Sequence, residues 1–482
     1  MPRSSLITRL LVALLVGVAL WYMWMIASAK LEWGGSSPEQ HWLGTVPGVQ
    51  TRAVSQYCTG VLVTPQGTWL VGRLEDAYEP FQPSAAMVDL NAVLHGKAPA
   101  PPKEPGAFGS LIPSRERETT FISRLDANGQ FTPVAHLSGA ACLVASPDGA
   151  HLYLLSDANR PDDAAAQTVV FRSDDQGQHW TWMAAGFFPE ADRVADNLTP
   201  YFYNKDEVWA WGSPGTADDE ASADPSGAIP TGVYYSRDGG AHSAPVVAPQ
   251  SLLVPREYAQ GKRPDIVEWR TAEGESGDVR SHVLQQDAQH ALIWVSQRFW
   301  GSHPDGQSNN LAIDITTRAS LTRTTGGWQV GRLEREDGLF VTALADNGDG
   351  RVIGLIDRGG YGHTVVAELN TTTLAWQPLS DLPSVFSPLA ADTQARGLWV
   401  GRNSLLLNTS SEHHPPRWLY WWGDANISAE AVFYSKDWGQ SWQRLAVDGY
   451  MGVRGFDGGS DRVFWSQQKS ADDTGIGSYS LH

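Results

Sequence analysis

An all-β fold built from repeated units is what the sequence predicts, on three observations. The pattern S-x-D-x-G-x-x-W occurs in two full copies, Ser173-Asp174-Asp175-Gln176-Gly177-Gln178-His179-Trp180 and Ser435-Lys436-Asp437-Trp438-Gly439-Gln440-Ser441-Trp442. A short polar turn followed by an apolar run recurs along the chain. Past the N-terminal segment no long helical period interrupts these runs. The eight-residue pattern has a physical logic. An Asp carboxylate accepts backbone N–H groups across a tight turn, and a Ser hydroxyl does so more weakly. Gly supplies the left-handed residue such a turn needs, and Trp opens the returning strand. Each copy follows an alternating apolar run, Val169-Val170-Phe171-Arg172 or Val432-Phe433-Tyr434, which places it at a hairpin tip.

The elements follow in order. Thr64-Pro65-Gln66-Gly67 precedes Trp69-Leu70-Val71, and Ser146-Pro147-Asp148-Gly149 precedes Leu152–Leu155. Asn204–Glu207 precedes Val208–Trp211, Gln286–Gln289 precedes Leu292–Val295, and Asp346–Gly350 precedes Val352-Ile353. Asp392-Thr393-Gln394 before Leu398-Trp399-Val400 and Asp457-Gly458-Gly459 before Val463-Phe464-Trp465 bring the units to seven. Eroded copies of the eight-residue turn stand at Ser236–Gly240, Thr322–Trp328, Leu125–Phe131 and Leu369–Trp376. Each unit reads as inner strand A, a short turn, strand B, a connection, strand C, the S-x-D-x-G turn and strand D. The last unit has A near Gly452-Val453-Arg454, B at Arg462–Ser466 and C at Ile476–Leu481, and then the chain stops one strand short. Val49–Gln56 is expected to supply that strand and close a ring, which removes two exposed sheet edges.

The eight-residue pattern resembles the Asp-box, or BNR repeat, of the sialidase-like β-propeller superfamily. With seven units, the resemblance implies a seven-bladed β-propeller, six or eight blades being the alternatives that the eroded repeats leave open. In that superfamily the box is a structural turn away from the active centre. Ser173, Asp175, Gly177 and Trp180, with Ser435, Asp437, Gly439 and Trp442, are therefore expected to be structural. Sialidases that share the box use an Arg-Ile-Pro segment, three Arg residues on a carboxylate, a Tyr–Glu nucleophile pair and an Asp acid/base. Here Arg-Ile-Pro is absent, Gly60–Val63 carries no Arg, and Ile112-Pro113-Ser114-Arg115 falls in an insertion. A catalytic site would have to be assembled from loop residues such as Arg256, Glu257, Tyr258, Arg263 and Asp265. No catalytic residue is assigned.

The A–B and C–D turns are short throughout, and the surplus chain goes elsewhere. Leu74–Glu118, Gly212–Gly232, Gln297–Ala319 and Arg402–Ala431 are read as B–C connections, and Ala248–Ser281 as a D–A connection. In a propeller these all emerge on one face, which they crown, leaving the other bare. Loops carry function when a rigid scaffold positions them, so the crowned face is the expected binding surface. Arg115, Arg256, Arg263, Arg298, Trp300, His413, Arg417 and Trp418 are the partner-binding candidates on it. Trp418-Leu419-Tyr420-Trp421-Trp422 reads as a hairpin packed on the crown, with a sugar-stacking platform as the alternative.

At the N-terminus, Arg3 and Arg9 precede the apolar run Leu10–Ile26, with Trp21, Tyr22 and Trp24 near its end. This is the pattern of a transmembrane helix with its N-terminus in the cytoplasm. Ala27-Ser28-Ala29 leaves a cleaved signal peptide as the alternative, which would export a soluble form. The layout is thus an anchor over 1–29, a linker over 30–47 and the propeller over 48–482, expected on the inner membrane with the propeller in the periplasm. Because the chain enters its closing strand from the bare side, the bare face is expected toward the bilayer, with Ser302 and Ser411 accessible on the crown. A formal net charge of -18 disfavours nucleic acid as a partner.

The two cysteines, Cys58 and Cys142, fall in successive inner strands and are read as buried free thiols, with a disulfide as the alternative. Adjacent His413-His414 does not have metal-ligand spacing, and neither a metal nor a cofactor is expected. The functional expectation is a membrane-anchored extracytoplasmic propeller that binds a protein partner, as an assembly factor, inhibitor or immunity-type protein. The alternative is an exo-acting glycoside hydrolase of the sialidase class, and a bound glycan is an intermediate reading.

Overall fold

The computed structural model describes residues 3–30, 39–45, 60–75, 86–96, 118–138, 141–156, 169–183, 198–212, 233–247, 252–264, 266, 268–270, 279–302, 311–346, 350–358, 363–415, 426–445, 451–470 and 473–481. Seven antiparallel sheets follow one another, each starting with its inner strand. The first holds β2 (Val61–Thr64), β3 (Gly67–Glu75), β5 (Glu118–Leu125) and β6 (Phe131–Ser138). The second runs β7 (Ala141–Ala145), β8 (Leu152–Ser156), β9 (Val169–Ser173), β10 (Thr181–Trp182). The third runs β11 (Leu198–Phe202), β12 (Val208–Gly212), β13 (Val233–Ser236), β14 (Ala244–Val247). The fourth is built on β16 (Val279–Gln285), β17 (His290–Ser302), β18 (Leu311–Thr324) and β19 (Gly327–Val330). The fifth is β21 (Leu339–Asp346), β22 (Val352–Arg358), β23 (Thr364–Asn370), β24 (Ala375–Asp381). The sixth is β25 (Asp392–Val400), β26 (Leu405–His413), β27 (Ile427–Ser435), β28 (Gln443–Leu445).

The seventh sheet holds β29 (Met451–Asp457), β30 (Arg462–Ser470) and β31 (Asp473–Ser480), and its fourth strand comes from the other end of the chain. That strand is β1, Glu39–Thr45, antiparallel to β31 with Glu39 opposite Ser480 and Thr45 opposite Gly475. Ring closure by an N-terminal outer strand therefore holds, but through a segment inside the stretch read as linker. Val49–Gln56, expected in this role, lies outside the described residues.

Apolar clusters between successive blades hold the ring together. Trp69 of β3 packs with Leu143, Leu154 and Phe171 of the second blade. Phe202 and Val208 meet Tyr153 and Val170 across the next junction, where the Tyr153 and Phe202 rings stack at 3.7 Å. Trp209 and Tyr235 join the fourth blade, Trp294 joins the fifth, and Leu405 and Leu407 meet Ile353 and Val366. Leu406 and Tyr434 pack on Val463 and Trp465, and Phe464 and Ile476 close onto Val61 and Leu70. Trp69, Trp209, Trp294 and Trp465 all lie in B strands and are among the largest fully buried side chains. A buried Trp contributes the most area per residue to such a wedge-shaped contact.

Several connections differ from expectation. In the first blade, β4 (Val88–Asp89) pairs in parallel with outer strand β6, and α2 (Leu90–His95) follows it. Asp89 caps this helix by accepting from Asn91 N and Ala92 N, and Gly96 ends it at φ 67°. Leu90 and Leu94 are buried by it, so part of the long connection covers a sheet edge instead of crowning a face. Gln297–Ala319 is mostly strand, because β17 and β18 extend one another as a tall hairpin paired from His290–Thr322 to Gly301–Leu311. In the sixth blade, Asp392-Thr393-Gln394 opens inner strand β25, and Gly401–Ser404 is the real A–B turn. The reading was misled because Leu398-Trp399-Val400 is the more apolar run, while the true B strand turns polar over Asn408–His413.

Cys142 is disulfide-bonded, which corrects the expectation of free thiols. Cys58 lies outside the described residues.

Helix α1 (Arg3–Lys30) is, among the described residues, the one helix long and apolar enough to cross a membrane, over Arg9–Ser28 with mean hydropathy 2.3. It is consistent with an anchor or a signal sequence. Its aromatic end meets the sixth blade. His413 Nδ1 lies 2.6 Å from the Ala390 carbonyl, which can only accept, so Nδ1 carries the proton. Nε2 then accepts from the Tyr22 hydroxyl at 2.7 Å. His413 ends a B strand and so stands on the crowned side. Further along the helix, Ser28 O accepts from Arg444 Nη1 of outer strand β28 at 3.4 Å, so the helix end lies along the side of the sixth blade, and β1 starts at the bare side.

Candidate functional site

The S-x-D-x-G turns are built as the sequence implies. Ser435 Oγ donates to Asp437 Oδ1 (2.7 Å) and accepts from Gly439 N (2.7 Å), while Asp437 Oδ1 also accepts from Ser441 N (2.8 Å). Ser173, Asp175, Gly177 and His179 repeat these bonds at 3.0, 2.8 and 2.8 Å, and Ser236, Asp238, Gly240 and His242 do so without a Trp. The backbone shows what the pattern did not. Two consecutive residues are left-handed in each: Gln176 and Gly177 at φ 61° and 80°, Trp438 and Gly439 at 60° and 88°, Gly239 and Gly240 at 73° and 98°. The residue before the Trp position also adds a side-chain bond to the Asp, from Ser441 Oγ at 2.5 Å or through His179 and His242. Trp180 is buried and Trp442 half-buried, its Nε1 donating to Ser380 Oγ at 3.2 Å. All three turns join C to D at the bare end, remote from the crown.

The crowned end of the fourth blade is a constructed platform. At the crowned end of the hairpin, β15 (Glu268–Arg270) extends the inner edge along β17, and β20 (Glu334–Asp337) pairs with β18 at the level of inner strand β16. Helix α3 (Arg256–Lys262) packs against them. Val254, Ala259, Ile266, Phe299 and Ile315 form a separate small core beneath it. Tyr258 Oη donates to Asp337 Oδ1 (3.2 Å), Lys262 Nζ pairs with Asp337 Oδ2 (2.6 Å), and Arg335 lies over the Tyr258 ring. Val254 is pinned at both polar groups by the Gln297 amide.

Beneath the platform sits a buried ion cluster. Arg298 Nε and Nη2 donate to Asp314 at 2.6 and 3.0 Å, and Nη2 also donates to Asp357 Oδ2 at 2.5 Å. Thr364 donates to the other Asp357 oxygen. Burial, opposed by Arg298 and aided by Asp357, raises the Asp314 carboxyl above its ordinary value. Arg298 stacks on Phe340 at 4.3 Å and Trp300 at 5.7 Å. Two of the partner-binding candidates are therefore corrected. Arg298 and His413 are both 5% exposed and occupied by internal partners. Ser411, expected accessible, is fully buried. Trp300 is half-buried, and Arg263 ends α3 with its N–H on Ala259 O. Arg256 opens the same helix. Arg115, Arg417, Trp418 and Asp265 lie outside the described residues. Among the described residues no cluster of three His, Cys, Asp or Glu side chains could hold a metal ion.

The channel wall shows a repeated irregularity that sequence reasoning missed. Inner strands β21, β25 and β29 each carry a β-bulge at the same place, with Thr342, Arg396 and Arg454 as the extra residues. The signal in the sequence is the dipeptide Arg396-Gly397 and its counterpart Arg454-Gly455. A Cβ at Gly397 would lie 2.5 Å from the Trp399 ring, and one at Gly455 would lie 2.6 Å from Val61 O, so both positions require Gly. Thr342 turns its hydroxyl back to Leu355 O at 2.9 Å.

No protein-family model and no curated protein matches the chain. Among solved structures it is similar to an oligogalacturonate lyase in complex with manganese, with 9% identity, TM-score 0.40, and coverage of 93% of this chain and 98% of that one. It is similar to puromycin hydrolase at 10% identity and TM-score 0.41, covering 89% of this chain and 53% of that one. For a prolyl endopeptidase the values are 12%, 0.38, 72% and 44%. The chain thus spans about half the length of the puromycin hydrolase and prolyl endopeptidase structures. The seven-bladed assignment rests on the sheet topology above.

Proposed function

We propose that this chain is a membrane-tethered, extracytoplasmic propeller of the Asp-box superfamily that binds a protein partner through its crowned face. The observation that carries the reading is the platform on the fourth blade. A chain that needed only a ring would close each blade at four strands. Here the fourth sheet adds β15 and β20 to its four blade strands, and β15, a helix and a separate small core stand at the crowned end. Rigid elements present a binding surface with less ordering cost than loops. Exposed Glu257, Arg335 and Asp337 give that surface mixed charge, which suits the rim of a protein interface.

The test is a crosslinked pull-down from membranes with the full chain and with a Glu257→Arg/Arg335→Glu double variant. The reading expects a discrete protein adduct with the parent and its loss in a variant that melts within a few degrees of it. Equal capture by both would reject the platform as the contact surface. Turnover of a chromogenic glycoside by the purified full chain would instead establish the hydrolase alternative.

A further inference from the structure

The apolar helix and the sixth blade meet at a definite depth. The span Arg9–Ser28 of α1 has 20 residues, about 30 Å at helical rise, which matches the hydrocarbon core of a bilayer. Tyr22 stands about 9 Å short of its outer end. It is at Tyr22 that the helix first touches the blade, through the bond to His413 Nε2 at the crowned end of β26 and a ring approach of 5.7 Å. Beyond it, Met25, Ile26, Ala27 and Ser28 are half-buried, and Arg444 reaches Ser28 O. Arg444 stands opposite Phe433, which stands opposite Leu407 of β26, well below His413. The helix therefore enters at the crown and runs down the side of the blade, and its exposed apolar length projects past the crown.

The crown beside Tyr22 is unlike the rest of that face. The D–A connection from β24 to β25, residues 382–391, reads Leu-Pro-Ser-Val-Phe-Ser-Pro-Leu-Ala-Ala and carries no charge, whereas the platform presents Glu257, Arg335 and Asp337. It touches His413 directly: Ala390 O accepts from Nδ1 at 2.6 Å, and the buried Phe386 ring lies 5.6 Å from the imidazole. Thr409 Oγ1 donates to Pro383 O at 3.4 Å, and Leu382 packs into the junction of the fifth and sixth blades, so the connection is held in place. Ser387, Pro388 and Ala390 are nonetheless exposed, and Leu389 is half-buried. Charge returns only at its ends, with Asp381 before it and, after it, Asp392, which His414 Nε2 meets at 3.2 Å.

We infer that the crowned edge of the sixth blade, formed by residues 382–391 around His413, rests in the interfacial layer of the bilayer that α1 spans, so that the partner of this surface is lipid. A residue bonded to Tyr22 does not stand clear of the membrane when Tyr22 itself lies inside the span. An edge at that depth has to be uncharged where it meets the acyl boundary and tolerates charge at headgroup level, which is how 382–391 and its flanking Asp residues are disposed. Trp21 and Trp24, 46% and 57% exposed on the same stretch of helix, are residues of the kind that gather at this level. The crown is thereby turned toward the bilayer at the sixth blade, the reverse of the orientation expected from the chain's entry into its closing strand. The inference rests on the membrane tether of the proposed function and not on its protein partner.

The experiment incorporates an environment-sensitive fluorescent amino acid singly at Trp24, Ser387, Ala390 and, on a bare turn, Asn128. Each full chain is reconstituted in vesicles of phosphatidylcholine and phosphatidylglycerol, with and without lipid bearing a nitroxide on its upper acyl chain. Probes at Ser387 and Ala390 should lose most of their emission to the nitroxide lipid, as the probe at Trp24 does, while the one at Asn128 keeps its own. Ser387 decides the matter if a probe at Ala390 disturbs the carbonyl bond to His413. Quenching at Trp24 with Ser387 and Ala390 behaving like Asn128 would overturn the inference and leave the tether intact. No quenching at Trp24 would remove the tether, and the lipid contact with it.

Discussion

At the scale of single residues, the turn Asp is the clearest case of sequence chemistry becoming structure. Asp437 accepts from one backbone N–H and two hydroxyls across its turn. The Ser441 hydroxyl, then the Ser441 N–H and the Ser435 hydroxyl, hold its carboxyl below its ordinary range. Asp437→Ala should lower stability by about 1–3 kcal/mol, the cost of leaving such groups unpaired. Thermal melts at neutral pH check this, and partner capture should not change. A depressed carboxylate pKa stabilises the fold above the unfolded value and loses that stabilisation as acid protonates it. Asp437→Ala should therefore show a shallower stability loss on acidification than the parent.

His282 carries the opposite kind of titration. It is buried on inner strand β16, and desolvation pushes its pKa from 6.5 to about 4, although Nε2 meets Val341 O at 3.4 Å. Folding therefore favours the neutral ring. Its contribution is complete above pH 6.5 and is lost as pH falls toward about 4, up to about 3 kcal/mol in all. Denaturant melts at pH 7 and pH 4 should show His282→Gln losing less stability over that interval than the parent. An equal loss would mean that the imidazole stays solvated. This residue was not legible in the sequence, because a lone His in an apolar strand reveals nothing about what packs over it.

At the scale of elements, the strands of the first, second, third, fifth and seventh blades were legible because polar turn and apolar run coincide there. The fourth and sixth blades misled for one shared physical reason. Where a hairpin rises beyond its ring, its residues alternate between a packed and a polar environment, so Arg298, Asp314 and Thr316 sit in strand yet read as loop. Arg298 also read as a surface cation, although two buried carboxylates hold it. Removing one member of such a cluster leaves uncompensated buried charge. Arg298→Met should cost about 3–5 kcal/mol, whereas replacing Arg298, Asp314 and Asp357 together by apolar residues of similar volume should cost much less. Chemical denaturation of the single and triple variants decides it, and a smaller loss in the single variant would contradict the account.

At the scale of the whole molecule, closure depends on residues near both ends of the chain. A chain that begins at residue 36 keeps β1, whereas one that begins at residue 48 exposes the edge of β31. The first should melt cooperatively and the second at markedly lower temperature or without a single transition; equal melting would reject closure by β1. The Tyr22–His413 bond sets the apolar helix against the sixth blade, two blades from the platform. A photo-crosslinking residue at position 22 should join the helix to the sixth blade within one chain, and none should form if the helix stands away from the crown.

The central claim is that the crowned face works and the bare face does not. Photo-crosslinking residues placed singly at Glu257, Arg335 and Asp392 sample the crown, and those at Asn128, Lys205 and Ser441 sample the bare turns; all six are exposed. Irradiation in native membranes, read by mass spectrometry, should give one recurring protein adduct from the crown positions on the platform and none from the bare ones. The same adduct arising from Asn128, Lys205 or Ser441, with none from Glu257 or Arg335, would contradict the account.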